Sequence, residues 1–350
     1  MAMKRWSFFL DDRSIILASV RLVNYAPFKG AARTTRSPKA SERRRARRNI
    51  MSGTADRPTV GVVGLGIMGL SYARNLREAG FPVIGFDVAQ APLDALRAAG
   101  GEVASSPRAV AEKADVVLIA LASVDALKSA CGGDEGLIHA IRPDAVVCEM
   151  GTFPLYAKEY VQKLFETKGI PVLDCPVSGT GAQAAVRDLV VYASGDKDAA
   201  DRIRPVFDGF ARNTRYVGAF GAGIKLKFVA NLLVTIHNLA AAEAMVLAEQ
   251  SGLDLNMVYD AISDGAGTSR MFEVRGKMMV DEHYLPPQMK VEVYMKDIQL
   301  ITEFATAVRA PTPLMAASVP YYVAALASGH EAEDTAAIHA VLKEMTQPKG

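Results

Sequence analysis

The sequence is sparing with cysteine. Its 350 residues hold three, Cys131, Cys148 and Cys175, scattered with no CxxC pair and no metal-ligand spacing. This excludes a disulfide framework, offers no metal site and fits a reducing compartment. Long apolar runs are missing too. No eighteen consecutive apolar residues occur, and the most hydrophobic segment, around 228–248, is broken by Asn231, His237, Asn238 and Glu243. No membrane span is expected, and the chain reads as a soluble, cytoplasmic protein. Basic charge is scarce over most of the length. The net charge of +2 hides a split: residues 1–50 carry thirteen Lys/Arg against three Asp/Glu (+10), whereas the remaining 300 carry 27 against 35 (−8). The body is mildly acidic and shows no footprint for nucleic acid.

The positive excess peaks at "SERRRARRN" (41–49). Residues 1–50 read as an Arg- and Ser-rich organellar targeting segment, as a disordered basic arm, or as in-frame sequence upstream of a start at Met51. They are set aside from the fold.

From Thr59 short apolar runs alternate with helical stretches. "TVGVVGLG" (59–66), "PVIGFDV" (82–88), "ADVVLIAL" (114–121), "AVVCEMG" (145–151), "IPVLDCPVSG" (170–179) and "DLVVYASGD" (188–196) read as strands, with helices between most of them. Such alternation predicts a doubly wound parallel α/β sheet. After about residue 222 the β-branched runs stop, and helical periodicity covers 223–251, 255–263, 269–280, 290–308, 313–328 and 333–345. The expected architecture is an α/β domain over 57–222 and an all-helical domain over 223–350. The helix 223–251 joins them and would run about 43 Å. Its Ala- and Leu-rich surface suits a homodimer or homotetramer.

"GVVGLGIMG" places Gly64, Gly66 and Gly69 as G-x-G-x-x-G between a strand and a helix. The first glycine permits a tight turn, the second lets backbone approach a pyrophosphate, and the third allows helix to pack on strand. Leu65, Ile67 and Met68 complete the loop, and the helix N-terminus offers N–H groups and positive dipole to the phosphates. Asp87 ends the second strand, where a carboxylate accepts from a ribose 2′-OH. It would repel a 2′-phosphate, and the following "VAQ" offers no arginine to bind one. The expected cofactor is NAD rather than NADP.

"GLGIMG" (64–69), "DCPVSG" (174–179), "GAGIKLKFVAN" (221–231) and "MKDIQL" (295–300) together resemble the β-hydroxyacid dehydrogenases, the group of 3-hydroxyisobutyrate dehydrogenase and tartronate semialdehyde reductase. The resemblance covers 59–345 and implies a Rossmann domain joined by a long helix to a helical domain. It implies NAD(P)-dependent oxidation of a small β-hydroxy acid to its aldehyde or keto acid. "SGTGAQAA", "IHNLAAAEAM" and "SRMFEVR" look most like the L-threonate dehydrogenase branch. L-threonate-like sugar acids, 3-hydroxyisobutyrate and 2-hydroxy-3-oxopropionate are the candidate substrates.

Two lysines open the long helix, and phase separates them. At about 100° per residue, Asn231 lies about 40° and Asn238 about 20° from Lys227, whereas Lys225 points about 200° away with Val229, Leu232 and Ile236. Proximity to the helix N-terminus and burial would both lower the pKa of Lys227 towards that of a working acid/base. The family's catalytic lysine and asparagine fall on Lys227 and Asn231. Its substrate segment falls on Ser178, Gly179 and Thr180, where the hydroxyl and backbone N–H groups could hold a carboxylate. Thr180 replaces the usual glycine and would narrow the pocket or add a hydroxyl. The resemblance also places Leu121, Ala122, Ser123, Thr152 and Lys296 at the cofactor and Asp297 in the cleft. Ala122 stands where proline is usual, and Gly151 where serine is. His237 reads as a satisfied core histidine, and Arg270 and Phe272 as either pocket or packing residues. A nucleotide-binding module without catalysis and an imine reductase are the competing readings. Intact Lys227, Asn231 and Ser178 speak against the first. The presence of the lysine speaks against the second.

Overall fold

The computed structural model describes residues 57–346. The readings of segment 1–50 lie outside them. Six strands form one parallel sheet: β1 (Val60–Val63), β2 (Val83–Phe86), β3 (Glu102–Val103), β4 (Val116–Ile119), β5 (Val146–Glu149) and β6 (Val172–Asp174), in the order β3-β2-β1-β4-β5-β6. The near-continuous apolar sequences of β1, β2 and β4 follow from burial on both faces. One face packs a core that includes Val60, Val62, Leu118 and Tyr72. The other buries Val63, Val117, Ile119 and Phe165. Strand order reverses between β1 and β4, the place where open sheets bind ligands beyond their carboxyl ends.

The helices of this half are α1 (Ile67–Glu78), α2 (Gln90–Ala98), α3 (Pro107–Lys113), α4 (Val124–Gly132), α5 (Leu155–Glu166), α6 (Gly181–Ala185), α7 (Lys197–Arg202) and α8 (Arg204–Phe210). The segment 170–179, expected as one strand, is two. Pro176 cannot donate to a ladder, and beyond β6 the chain passes to β7 (Val177–Ser178) in a second, three-stranded sheet. There β7 runs antiparallel to β8 (Val190–Ala193), which pairs in parallel with β9 (Asn213–Tyr216). Residues 188–196 therefore do not extend the parallel sheet. The short strands β3 and β9 escape a reading by apolar runs, since "EV" and "NTRY" are not such runs.

The second half is helical: α9 (Ala222–Gln250), α10 (Leu255–Ser263), α11 (Arg270–Val280), α12 (Val291–Ala307), α13 (Pro313–Ala327) and α14 (Ile338–Glu344). The last helix starts later than the expected 333, because Asp334 caps a 3₁₀ turn (Thr335–Ala337) first. By length and composition alone α9 could cross a membrane. Here it touches all five other helices of this half. Its buried polar groups are bonded to them: Thr235 Oγ1 meets Tyr294 Oη at 2.9 Å, and Asn238 Nδ2 donates to Tyr322 Oη at 3.1 Å and to the Thr335 carbonyl at 2.8 Å. An apolar helix with such a polar seam is the spine of a helical body.

Candidate active site

Five strand ends and two helices build the site. After β1 the chain turns at Gly64, whose φ of +90° suits glycine and whose added Cβ would lie 2.4 Å from the Ala120 carbonyl oxygen at the end of β4. Gly69 sits so close beneath the loop that a Cβ would come within 1.9 Å of the Gly64 oxygen. Gly66 differs, since nothing stands within 4 Å of where its Cβ would be. Gly66 is also the N-cap of α1 and makes no side-chain cap bond. A compact turn, an open approach and an uncapped helix end suit a pyrophosphate. The described residues thus fit a dinucleotide by shape and by donor set. Leu65 is buried in the core and offers only backbone. Ile67 and Met68 are exposed and half-buried, and Ile67 reaches within 2.5 Å of where a Cβ on Gly181 would stand.

Asp87 follows β2 and does two jobs before any ligand arrives. Its Oδ2 accepts from the Leu65 N–H at 2.7 Å and its Oδ1 from the Ala89 N–H at 2.9 Å, which ties the glycine turn to the second strand. A carboxylate has acceptor capacity beyond two bonds, so ribose hydroxyls could still be held. Beside it a cavity of about 380 Å³ is lined by Gly64, Phe86, Asp87, Pro107 and Leu121. An adjoining hollow brings Arg97 to the rim with Asp87 and Val88. The arginine lies on α2, outside "VAQ", and pairs with Asp94 at 2.6 Å. A cavity of about 600 Å³ is elsewhere. It is lined by Pro171 and Val172, where β6 begins, and by Glu166 and Asp196, away from these strand ends.

At the end of β4, Leu121 lines the cavity and Ala122 is exposed. Ser123 caps α4, its Oγ accepting from the Ala126 N–H at 3.2 Å. At the end of β5, Thr152 is half-buried, and the Gly151 N–H donates to Glu149 Oε1 at 2.7 Å. The buried Phe153 ring carries the Lys296 ammonium 5.3 Å from its centroid, so α12 of the helical half faces this loop.

Helix α9 starts against β6 and β8. The Ile224 N–H donates to Asp174 Oδ2 at 2.8 Å and the Gly223 N–H to Ser194 Oγ at 3.0 Å. Lys225 is exposed and Lys227 half-buried, as phase requires. Lys227 is the sixth residue of the helix, where the terminal dipole has largely faded. Burial alone accounts for its depressed pKa: crowding round the ammonium pulls it below the ordinary lysine value, and the Asp297 carboxylate pulls partly back. No ion pair holds Lys227 among the described residues. Asn231 is buried and its Nδ2 donates to Asp297 Oδ2 at 2.8 Å, leaving its carbonyl oxygen and second N–H. Burial pushes the Asp297 carboxyl up, against the pull of Lys227, Lys296 and the Asn231 bond. Asn238, although in phase with Lys227, is committed to Tyr322 and Thr335. His237 is half-buried with no hydrogen-bond partner among the described residues, so it is not the satisfied core histidine the sequence suggests.

At the end of β7, Ser178 is half-buried, and its hydroxyl has no partner among the described residues. Gly179 takes φ +138°, and Thr180 begins α6 with a capping box. The Thr180 N–H donates to Gln183 Oε1 at 3.0 Å, and its Oγ1 accepts from the Gln183 N–H at 3.5 Å and donates to Gln183 Oε1 at 3.4 Å. Both polar groups of Thr180 are therefore occupied. Its hydroxyl is not the free donor the sequence invites, and the anion-binding capacity shifts to Ser178 and Gly179. Arg270 is exposed and paired with Glu273 at 2.9 Å, while Phe272 is buried and stacks on Tyr259. Phe272 is packing.

Fold and site define a dehydrogenase with a nicotinamide-dinucleotide domain. Residues 59–218 match the NAD binding domain of 6-phosphogluconate dehydrogenase, and 221–342 match the NAD-binding domain of NADP-dependent 3-hydroxyisobutyrate dehydrogenase. The L-threonate dehydrogenase of Pectobacterium atrosepticum is 33% identical over 293 residues, 83% of this chain and 96% of that protein. The structure of 3-hydroxyisobutyrate dehydrogenase from Salmonella typhimurium superposes with a TM-score of 0.73 at 32% identity, covering 81% of this chain and all of that one. The chain belongs to the β-hydroxyacid dehydrogenase family related to 3-hydroxyisobutyrate dehydrogenase, and is an NAD(P)-dependent hydroxy-acid dehydrogenase. An imine reductase from Pseudomonas sp., at 19% identity and a TM-score of 0.51, shares the fold alone.

Proposed function

We propose that the chain oxidises a small sugar acid of the L-threonate type with NAD, using Lys227 as acid/base. The observation that supports this most is the placement of Lys227: half-buried, held by no ion pair among the described residues, and on one face with Asn231. Bound NAD supplies the hydride acceptor. Neutral Lys227 takes the proton of the substrate hydroxyl during oxidation, and its ammonium returns it to the carbonyl oxygen in reduction. Asn231, fixed by Asp297, orients the hydroxyl or carboxylate. Ser178 and the Gly179 N–H hold the carboxylate, with Thr180 shaping the wall through the cap it makes. Gly64 to Gly69, Asp87, Leu121 to Ser123, Thr152 and Lys296 take the dinucleotide. Residues 57–222 form the cofactor domain and 223–350 the substrate domain, with α9 common to both. The bare Val229, Leu233 and Leu247 on α9 favour a homodimer or homotetramer, and the three buried free cysteines suit the cytoplasm. Neither nucleic acid nor a membrane enters this reading.

A panel of L-threonate, D-threonate, glycerate and 3-hydroxyisobutyrate with NAD, followed by NADH absorbance, tests the substrate class. L-threonate should give the highest kcat/KM. A preference for 3-hydroxyisobutyrate would overturn the sugar-acid assignment. Lys227→Ala tests the lysine separately.

A further inference from the structure

Away from the cleft, three charged side chains are wholly buried together: Glu149 at the end of β5, Lys158 on α5 and Asp174 at the end of β6. Lys158 forms ion pairs with both carboxylates, the one to Asp174 Oδ1 at 2.7 Å. Each carboxylate then spends its other oxygen on a backbone N–H of a site segment. Glu149 Oε1 accepts from Gly151 at 2.7 Å, at the start of the loop that carries Thr152 and Phe153. Asp174 Oδ2 accepts from Ile224 at 2.8 Å, one turn before Lys227. Burying three charges is costly unless every group is paired, and here the pairing runs from one functional segment to the other. Burial pulls the ammonium of Lys158 down, yet Asp174 and Glu149 together hold it above the ordinary lysine value, so it stays charged.

We infer that Lys158 is a positioning residue for the reaction. Through Glu149 and Asp174 it fixes the Gly151–Phe153 loop and the start of the lysine-bearing helix at one separation. Among the described residues its ammonium bonds to neither segment itself. The inference rests on the reading of Lys227 as acid/base for its kinetic consequence, but not for its structural one. If the two segments carry the reacting partners, loosening their separation slows the reaction, since misplacement on the order of 1 Å can cost about a hundredfold.

Two full-length variants test it, Lys158→Met and Lys158→Met with Glu149→Gln. The second removes one carboxylate together with the ammonium and so avoids two unpaired buried charges. Amide hydrogen exchange, which needs no substrate, should show faster exchange at both Gly151 and Ile224 while β1 stays protected. Steady-state kinetics on the best acid of the panel should show kcat lowered by about tenfold or more. A purely structural lysine would open α5 and β1 together with the two segments, or leave kcat of the folded protein unchanged. Either result, or unchanged exchange at Gly151 and Ile224, overturns the inference. If Lys227→Ala remains active while exchange at the two segments behaves as expected, the lysine reading fails and the bridge stands.

Discussion

Asn231 Nδ2 donates to Asp297 Oδ2 at 2.8 Å, across from α9 to α12, and the same carboxylate is the charge that Lys227 feels. One aspartate therefore holds the Asn231 amide and raises the basicity of the neighbouring lysine against the effect of burial. Burial lowers the pKa of Lys227 and Asp297 opposes it, so removing the negative charge must lower that pKa further. Oxidation needs neutral lysine and rises with pH through this pKa. In Asp297→Asn that rising limb should move to lower pH, and the falling limb of the reductive reaction should move the same way. A pH–kcat/KM profile in both directions checks this; a shift to higher pH would show that another group sets the limb.

Lys227→Ala should lower kcat by about a hundredfold or more, the scale of a lost general acid/base, while NADH still binds with its fluorescence change. Lys225 is two residues away and exposed, and Lys225→Ala should leave kcat within about twofold. Comparable losses in the two variants would show that helix phase does not distinguish these lysines.

Both lysines also show what was legible beforehand. Phase alone separates exposed Lys225 from half-buried Lys227, because helical geometry is a local rule. The glycine loop, Asp87 and the long helix are legible for the same reason: each is fixed by residues near in sequence. The capping of Thr180 by Gln183 was readable in principle, as a Thr-x-x-Gln pattern at a helix start. The Glu149–Lys158–Asp174 cluster was not, since its members meet only when β5, β6 and α5 pack. Its one local sign is Lys158 in phase with Val161 and Phe165, both wholly buried. Arg97 was missed because it returns to Asp87 only after two turns of α2. The split of 170–179 turns on Pro176, which the apolar run concealed.

Arg97 gives the cofactor prediction its edge. Asp87 would repel a 2′-phosphate, and Arg97 stands at the same rim, paired with Asp94. Asp87→Ala removes the repulsion and the ribose acceptor, and it also leaves the Leu65 N–H unpaired. The ratio of kcat/KM for NAD over NADP should fall by about tenfold or more, the size of one good charged hydrogen bond. Adding Arg97→Ala should weaken NADP again. If the ratio does not move in Asp87→Ala, the carboxylate has no ribose role.

Gly66 and Gly69 separate cofactor binding from folding within one loop. A methyl at Gly69 would meet the Gly64 oxygen at 1.9 Å, and backbone cannot yield there. Gly69→Ala should therefore force α1 off β1 and lower Tm by several degrees, since overpacking of this kind costs about 1–3 kcal/mol. A methyl at Gly66 meets no protein atom within 4 Å. The fold has no reason to resist it, and Tm should hold. It would occupy the space through which a pyrophosphate would approach the backbone, so the Kd for NADH, read by fluorescence titration, should rise by about tenfold or more. Unchanged NADH affinity in Gly66→Ala would mean that the dinucleotide does not cross the loop at this residue.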